Sequence, residues 1–412
     1  MQRTACCVVG GGPAGMMLGL LLARAGVAVT VLEKHGDFLR DFRGDTVHAS
    51  TLTLLDELGL GERFAALPHS VLQRVQVPLP SGPGLVVDFS VLPGPHKHIA
   101  MVPQWDFLDL LADAGREEPS FTLRMGVEVT GLVREHGRVV GVRYREAGAS
   151  DGELRAAVTV ACDGRMSTVR AASGLRVREF GAPLDVWWFR LPRREVDLEG
   201  LNGRVGDGAL LAVIDRGSYF QLGFVIRKGS DARLRAEGIE SFRRRVAAIA
   251  PELADRVEAL RSWDDVKLLA VRLNRMPRWC CPGLLCIGDA AHAMSPVGGV
   301  GINLAVQDAV AAARHLATPL RRGEVPVRDL ARVQVRRWAP TFFTQSLQRL
   351  AHRLVIQPGL EGELGRGGGN GPSRPARLPR LLRRFPRLQA IPAYVVAIGL
   401  LPEHAPSFAR RP

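Results

Sequence analysis

A chain of 412 residues that is 46% hydrophobic and 23% charged, with 45 Gly and 27 Pro, is too apolar for disorder and too irregular for a fibre. Its length supplies a sizeable core, as two or three domains or as one domain with a large insertion. The 55 basic and 41 acidic residues leave a formal charge of +14, which admits nucleic acid, an anionic membrane or acidic small molecules as partners.

The chain opens on Ala5-Cys6-Cys7-Val8-Val9, a short apolar run of the kind that forms a parallel strand buried on both faces. Gly10-Gly11-Gly12-Pro13-Ala14-Gly15 follows and satisfies G-x-G-x-x-G. The pattern predicts a helix to about Ala25, apolar nearly all round, with Gly26 at its C-cap position. Residues 27–32 read as a second buried strand ending at Glu33, 18 residues after Gly15. Arg3 before an apolar stretch imitates a signal peptide, but three consecutive glycines and Arg24 interrupt it. The glycines have a mechanical reading: Gly10 permits the tight turn, Gly12 lets backbone approach a pyrophosphate, and Gly15 lets helix pack on strand. The helix N-terminus at Pro13 and Ala14 then faces the phosphates, and Glu33 accepts hydrogen bonds from a ribose hydroxyl. A complete βαβ unit with its acid in place indicates NAD or FAD.

Residues 74–89 carry the short alternations of an antiparallel sheet, and Met101-Val102-Pro103-Gln104-Trp105 begins a helix. An apolar strand at 158–162 runs into D-G-x-x-S-x-V-R from Asp163 to Arg170; taken alone, Asp163-Gly164 is a capping turn. Residues 180–271 resume the antiparallel pattern, with 209–214 and 219–226 joined across Arg216-Gly217-Ser218. Val186-Trp187-Trp188-Phe189 and Tyr219-Phe220-Gln221-Leu222-Gly223-Phe224 are its most aromatic strands, so Trp188 and Phe220 are candidates for a pocket around a planar substrate. One parity of each strand faces the ligand, and the sequence leaves open which. Residues 283–287 form another strand, into G-D-A-A-H from Gly288 to His292, and Pro296-Val297-Gly298-Gly299-Val300-Gly301-Ile302-Asn303 opens a helix.

Six cysteines include no C-x-x-C pair and no His at zinc spacing, so neither a metal site nor a disulfide scaffold is expected, and a reduced, cytoplasmic setting fits. From residue 361 onward nine Arg against three Glu place +6 of the charge in 52 residues. No aromatic residues interleave with a basic stripe, so no nucleic-acid partner is expected. Residues 365–375 read as a Gly/Pro-rich linker and 378–385 as a short basic amphipathic helix that Pro386 ends. The apolar run 390–401 is too short to span a bilayer. It is expected to dock on the body of the protein, with a dimer contact or a membrane surface as alternatives, which leaves monomer and homodimer both open.

Taken together, the G-x-G-x-x-G, D-G and G-D motifs, in that order and at wide spacing, make residues 1 to about 360 resemble the FAD-dependent aromatic hydroxylases, single-component monooxygenases of the p-hydroxybenzoate hydroxylase fold. The resemblance implies an α/β architecture. A Rossmann-like FAD-binding domain with a mostly parallel sheet would be built from 1–73, 99–179 and 272–360, an inserted antiparallel-sheet substrate domain from 74–98 and 180–271, and a helical C-terminal tail from 361–412. It places Asp289 of Gly288-Asp289 on the flavin ribityl chain, with Gln104 beside it. Pro296, Gly299, Gly301, Ile302 and Asn303 fall along the isoalloxazine, and Pro296 and Val297 also border the substrate. Arg43 falls where the family reaches the adenosine diphosphate, Asp163 where flavin and pyridine nucleotide are both served, and His48 near the reactive edge of the flavin, as an acid or base on a phenol. His292 reads as structural.

The implied reaction is reduction of FAD by NADPH or NADH, formation of a C4a-hydroperoxide with O2, and hydroxylation of a phenolic or polycyclic small molecule. The Arg-rich surface favours NADPH. Because the cofactor carries the difficult chemistry, no triad, carboxylate pair or metal cluster is required. A prenyl reductase of the same superfamily and a non-catalytic FAD-binding protein are the alternatives.

Overall fold

The computed structural model describes residues 2–39, 46–79, 82–146, 151–195, 197, 200–206, 208–361 and 386–411. Residues 6–9 are wholly buried because the strand Gln2–Val9 runs through the middle of the main sheet. It pairs in parallel with Gly152–Ala161 on one side and Val29–Glu33 on the other, so that Val8 lies opposite both Val160 and Val31. Val29–Glu33 continues to Phe121–Met125, again in parallel. The far edge of Gly152–Ala161 is shared: its last residues pair in parallel with Leu284–Cys286, and its first residues pair antiparallel with Arg138–Glu146, which carries Val127–Glu135. Val9, Glu33, Ala161 and Cys286 therefore end along one edge of the sheet, where open α/β sheets bind ligands.

Helix α1 (Pro13–Arg24) is apolar nearly all round because it lies between this sheet and helix α2 (Gly301–Arg321), which buries ten of its residues. Each fully buried Leu or Met there contributes about 2 kcal/mol. The helix stops as the sequence indicates, with Gly26 at φ +73 and its N–H on the Ala23 carbonyl.

A second, antiparallel sheet runs in the order Leu201–Gly206, Ala209–Asp215, Tyr219–Arg227, Leu184–Pro192, Lys267–Leu269. Its expected hairpin across Arg216-Gly217-Ser218 is present. The parity left open by the sequence is settled by the helix Ile239–Ile249. Trp187, Phe189, Phe220, Leu222 and Phe224 pack against Phe242 and Val246 of that helix, with Trp187 and Phe224 edge-on to Phe242 at 5.0 and 5.4 Å. Phe220 accordingly belongs to this helix-backed core and does not face the ligand side. Trp188 has the opposite parity. It joins a cluster containing Ala49, Met101, Ile214, Ala393 and Ala397, the third from this second sheet and the last two from the C-terminal helix.

Helix α3 (Val327–Ala351) runs back beside α2. Helix α4 (Pro386–Ala397) packs on the strand Gly82–Asp88 and the turn Phe89–Val91. The residues after it return to the main sheet domain. Glu403, nearly fully buried, pairs with Arg336 at 2.5 Å and Arg314 at 3.4 Å; Glu57 takes the His404 ring and the Ala405 N–H; the Ala409 carbonyl accepts from Arg24. The end of the chain is thus docked, while the expected linker at 365–375 and basic helix at 378–385 lie outside the described residues. Among the described residues no helix is long and apolar enough to cross a membrane.

Candidate active site

The loop after the first strand shows why three glycines recur at that spacing. A Cβ at Gly10, whose φ is +101, would strike the Cys162 carbonyl oxygen at 2.5 Å, and one at Gly15 would strike the Gly10 carbonyl oxygen at 1.9 Å. A Cβ at Gly12 would meet nothing within 4 Å. Gly10 and Gly15 therefore close the fold, whereas Gly12 leaves open space before α1, whose first-turn N–H groups lack intrahelical acceptors. Beside it Glu33 is buried, its carboxylate accepting from the Gly11 N–H at 2.8 Å and the His35 N–H at 3.1 Å.

The D-G and G-D segments meet at the same edge. Arg170, buried, donates to the carbonyls of Ala290 at 2.9 Å and Arg165 at 2.7 Å, locking one turn onto the other. Asp289 is partly exposed and pairs with Arg165 at 3.3 Å. Asp163 does local work: it accepts from the Ser167 hydroxyl at 2.5 Å and the Val169 N–H at 3.1 Å, capping the helix Thr168–Ser173. Burial raises its pKa against those hydrogen bonds. Gly288 backs onto Ala14, with 3.3 Å between the Ala14 Cβ and a Cβ placed there, so the two nucleotide motifs are in contact. The Gly288 N–H donates to Asp308 at 3.0 Å. That carboxylate also takes His292 at 2.6 Å and Arg337 at 3.1 Å, all three side chains being almost wholly buried. Burial pushes Asp308 up, but His292, Arg337 and the Gly288 N–H outweigh it and hold the acid below its ordinary value. His292 is the structural anchor the sequence suggests.

The loop before α2 is held from two sides. Pro296 accepts from the Gly299 N–H in a turn, and Gly299 accepts from the Thr46 hydroxyl at 2.7 Å. Gln348 of α3 donates to the Ser295 and Val297 carbonyls and accepts from the Ser295 N–H, and His352 meets the Ser295 hydroxyl at 2.8 Å. Asn303 takes the His48 N–H at 2.9 Å and the Thr51 hydroxyl at 2.7 Å through its side chain. The N–H groups of Gly301, Ile302 and Asn303 form the open first turn of α2. His48, fully buried, places Nδ1 2.8 Å from the Val396 carbonyl of α4. Burial lowers its pKa to about 4, with the Val396 carbonyl opposing. Gln104 begins the helix Gln104–Arg116, half-buried, and Arg43 lies outside the described residues.

The structure thus gathers Gly10, Gly12, Gly15, Glu33, Gly288 and Asp289 at one sheet edge, and Pro296 to Asn303 with His48 at the adjoining end of α2. It turns Phe220 away. Sequence reasoning missed Asp308, Arg337, Gln348, His352 and Val396. One signal was present: Arg337, Thr341, Gln345, Gln348 and His352 recur at helical spacing and form the buried stripe of α3 and its continuation.

The residues fit an FAD: open space at Gly12 for a pyrophosphate, a buried acid for a ribose, a partly exposed acid at Asp289, and a helix N-terminus at the far end. A family profile described as an FAD binding domain matches residues 3–339. The chain is 37% identical over 366 residues to 6-methylpretetramide 4-monooxygenase of Streptomyces rimosus, covering 87% of this chain and 85% of that one. It is 26% identical over 349 residues to protoasukamycin 4-monooxygenase of Streptomyces nodosus subsp. asukaensis, covering 81% and 84%. Among solved structures, OxyS anhydrotetracycline hydroxylase from Streptomyces rimosus superposes with a TM-score of 0.75 at 24% identity, over 96% of this chain and 76% of that one.

Proposed function

This chain belongs to the FAD-dependent aromatic hydroxylase family, and from that premise we propose that its substrate is a planar polycyclic phenol. The enzyme is an FAD-dependent monooxygenase that draws its electrons from NAD(P)H. Its relatives are hydroxylases and monooxygenases by name, which sets aside the reductase and the non-catalytic readings. The observation that carries the polycyclic reading is the 37% identity to an enzyme named for 6-methylpretetramide. An apolar cluster edged by Trp188 and Met101 supports it.

The bound flavin supplies acceptance of a hydride, activation of O2 and delivery of one oxygen atom to the ring. The chain's own residues bind and position. Gly12, Pro13 and Ala14 receive the pyrophosphate at the α1 N-terminus, Glu33 the adenosine ribose, and Arg43 the adenosine diphosphate. Asp289 and Gln104 hold the ribityl chain. Pro296 and Gly299 face the ring system, and the N–H groups of Gly301, Ile302 and Asn303 at the α2 N-terminus stabilise negative charge on its pyrimidine edge. Val297 borders the substrate. Asp163 acts by shaping its turn, a positioning role. His48, uncharged at neutral pH, acts as a hydrogen-bond acceptor for a phenol. NADPH is the preferred reductant on the strength of the Arg-rich surface.

Two measurements test this. Anaerobic NADPH should bleach the flavin absorbance, faster with a polycyclic phenol present, and aerobic turnover should yield hydroxylated product in step with NADPH consumed. A flavin that stays oxidised with every phenol tried, or peroxide as the sole product, overturns the reading. Asp289→Ala should purify with at least tenfold less FAD; full flavin content in that variant would refute the ribityl assignment.

A further inference from the structure

Two polar atoms, one on a side chain packed against an apolar cluster and one on the residue adjoining it, have no partner among the described residues, and their hydrogen-bonding senses are opposite. One is the indole Nε1 of Trp188, buried and unbonded. The other is Nε2 of His48, likewise buried and unbonded. Trp188 packs into the cluster formed by Ala49, Met101, Ile214, Ala393 and Ala397. His48 precedes Ala49 and is bonded to Val396, which packs on the same cluster. Leaving a buried polar group unpaired costs about 1–3 kcal/mol each.

The senses are fixed by chemistry. An indole nitrogen only donates. A backbone carbonyl only accepts, so the Nδ1 of His48, 2.8 Å from the Val396 oxygen, must carry the ring proton. That leaves Nε2 as a bare lone pair, an acceptor. The uncharged state of this buried ring agrees. The indole is also held in place: it lies across Gly223 of the neighbouring strand, where a Cβ would approach its Cη2 and Cζ3 to 3.0 Å. A larger residue at that position would push the six-membered ring away by a few tenths of an ångström. Ala393 and Ala397 of α4, both essentially buried, belong to the same cluster and line it with two of the smallest side chains.

We infer that the Trp188 indole N–H and the His48 Nε2 lone pair are the two polar points of the substrate site, the first donating to a carbonyl or ether oxygen and the second accepting from a hydroxyl. The inference rests on the aromatic-substrate reading and narrows it. The ligand is a flat, otherwise apolar polycycle carrying an oxygen acceptor on one ring and a free hydroxyl on another, and α4 forms a wall of its site.

Three probes separate the claims on flavin-loaded enzyme: a hydroxyanthraquinone, its methyl ether, and a hydroxyanthracene lacking the carbonyl. Binding is read from the perturbation of the flavin spectrum. The unaltered enzyme should prefer the hydroxyanthraquinone to each of the others by about tenfold, as expected for one buried hydrogen bond apiece. Trp188→Phe should abolish the preference over the hydroxyanthracene and keep that over the ether. His48→Asn, whose amide can still donate to the Val396 carbonyl, should do the reverse. Probes that bind without either preference, or preferences that both variants retain, overturn the pair while leaving the aromatic reading in place. No binding of any probe overturns both. If His48→Asn purifies without flavin, Trp188→Phe alone decides the donor, and an unchanged preference in it defeats the inference.

Discussion

Gly12 and Gly15 stand three residues apart in one motif and answer to different demands, so their substitution separates fold from ligand binding. Alanine at Gly15 would place a methyl 1.9 Å from the Gly10 carbonyl oxygen; the helix must shift off the strand, and loss of several kcal/mol of stability is expected, seen as insoluble or molten protein. Alanine at Gly12, where the backbone is extended at φ −76 and the space is open, should leave the thermal midpoint of the apoprotein within about 2 °C and weaken FAD at least tenfold, by titration. Equal effects from the two would defeat the division. This much was legible in the sequence, because a motif of contiguous residues fixes its own geometry. The role of Asp163 was not: a capping acid and a ligand-binding acid look alike until Ser167 and Val169 are seen to take both its oxygens. His48 adds a pH effect. Its pKa falls from 6.5 unfolded to about 4 folded, so below pH 6.5 the unfolded chain takes up the proton first and stability is lost as pH drops toward 4. Between pH 7.5 and 5 this amounts to about 2 kcal/mol. Denaturation by urea at the two values should show that difference in the native protein and lose it in His48→Asn.

Helix α3 inverts the usual arrangement of an amphipathic helix. Arg337, Thr341, Gln345 and Gln348 are buried, while Val335, Trp338, Phe342, Phe343, Leu347 and Leu350 are exposed. For Gln345 and Gln348 the cause is local: the loop 293–300 presents backbone carbonyls and N–H groups toward them, which polar side chains satisfy, while Arg337 is drawn in by Asp308. Periodicity assigns a helix here but assumes its apolar stripe faces inward, so the polar stripe that carries Gln348 and His352 to the flavin loop reads as a solvent face. The sheet strands show the same limit, since alternation reveals two faces and the helix Ile239–Ile249 decides which is core. Gln348→Leu removes the bonds to Ser295 and Val297 from the element that shapes the isoalloxazine site. It should lower FAD affinity about tenfold and leave far-ultraviolet circular dichroism unchanged; unaltered flavin binding would show that the loop holds its shape without α3.

Over the whole molecule, +6 of the +14 charge lies in a tail whose described end is bound by carboxylates and not free. Arg411 reaches Glu118, Arg410 and His404 reach Glu57, and the buried Glu403 draws in Arg314 and Arg336 from α2 and α3. Composition locates the excess but not these partners, of which Glu57 and Glu118 lie hundreds of residues earlier. The consequence is that the end of the chain completes the apolar cluster beside the second sheet: α4 supplies Ala393 and Ala397 to it and the Val396 carbonyl to His48. Removing residues 386–411 takes these away together. The exposed cluster should bind a hydrophobic dye, His48 should titrate nearer 6.5 in the proton NMR spectrum, and NADPH oxidation should run more to peroxide than to product because water enters where α4 excluded it. Glu403→Gln provides the milder version. It leaves Arg314 and Arg336, both more than a third exposed, to be hydrated in place of their acid, so the loss should be about 1 kcal/mol, with the same three readings shifted in the same direction. A truncated enzyme that keeps its thermal midpoint and its ratio of product to peroxide would mean that α4 lies on the molecule without closing it.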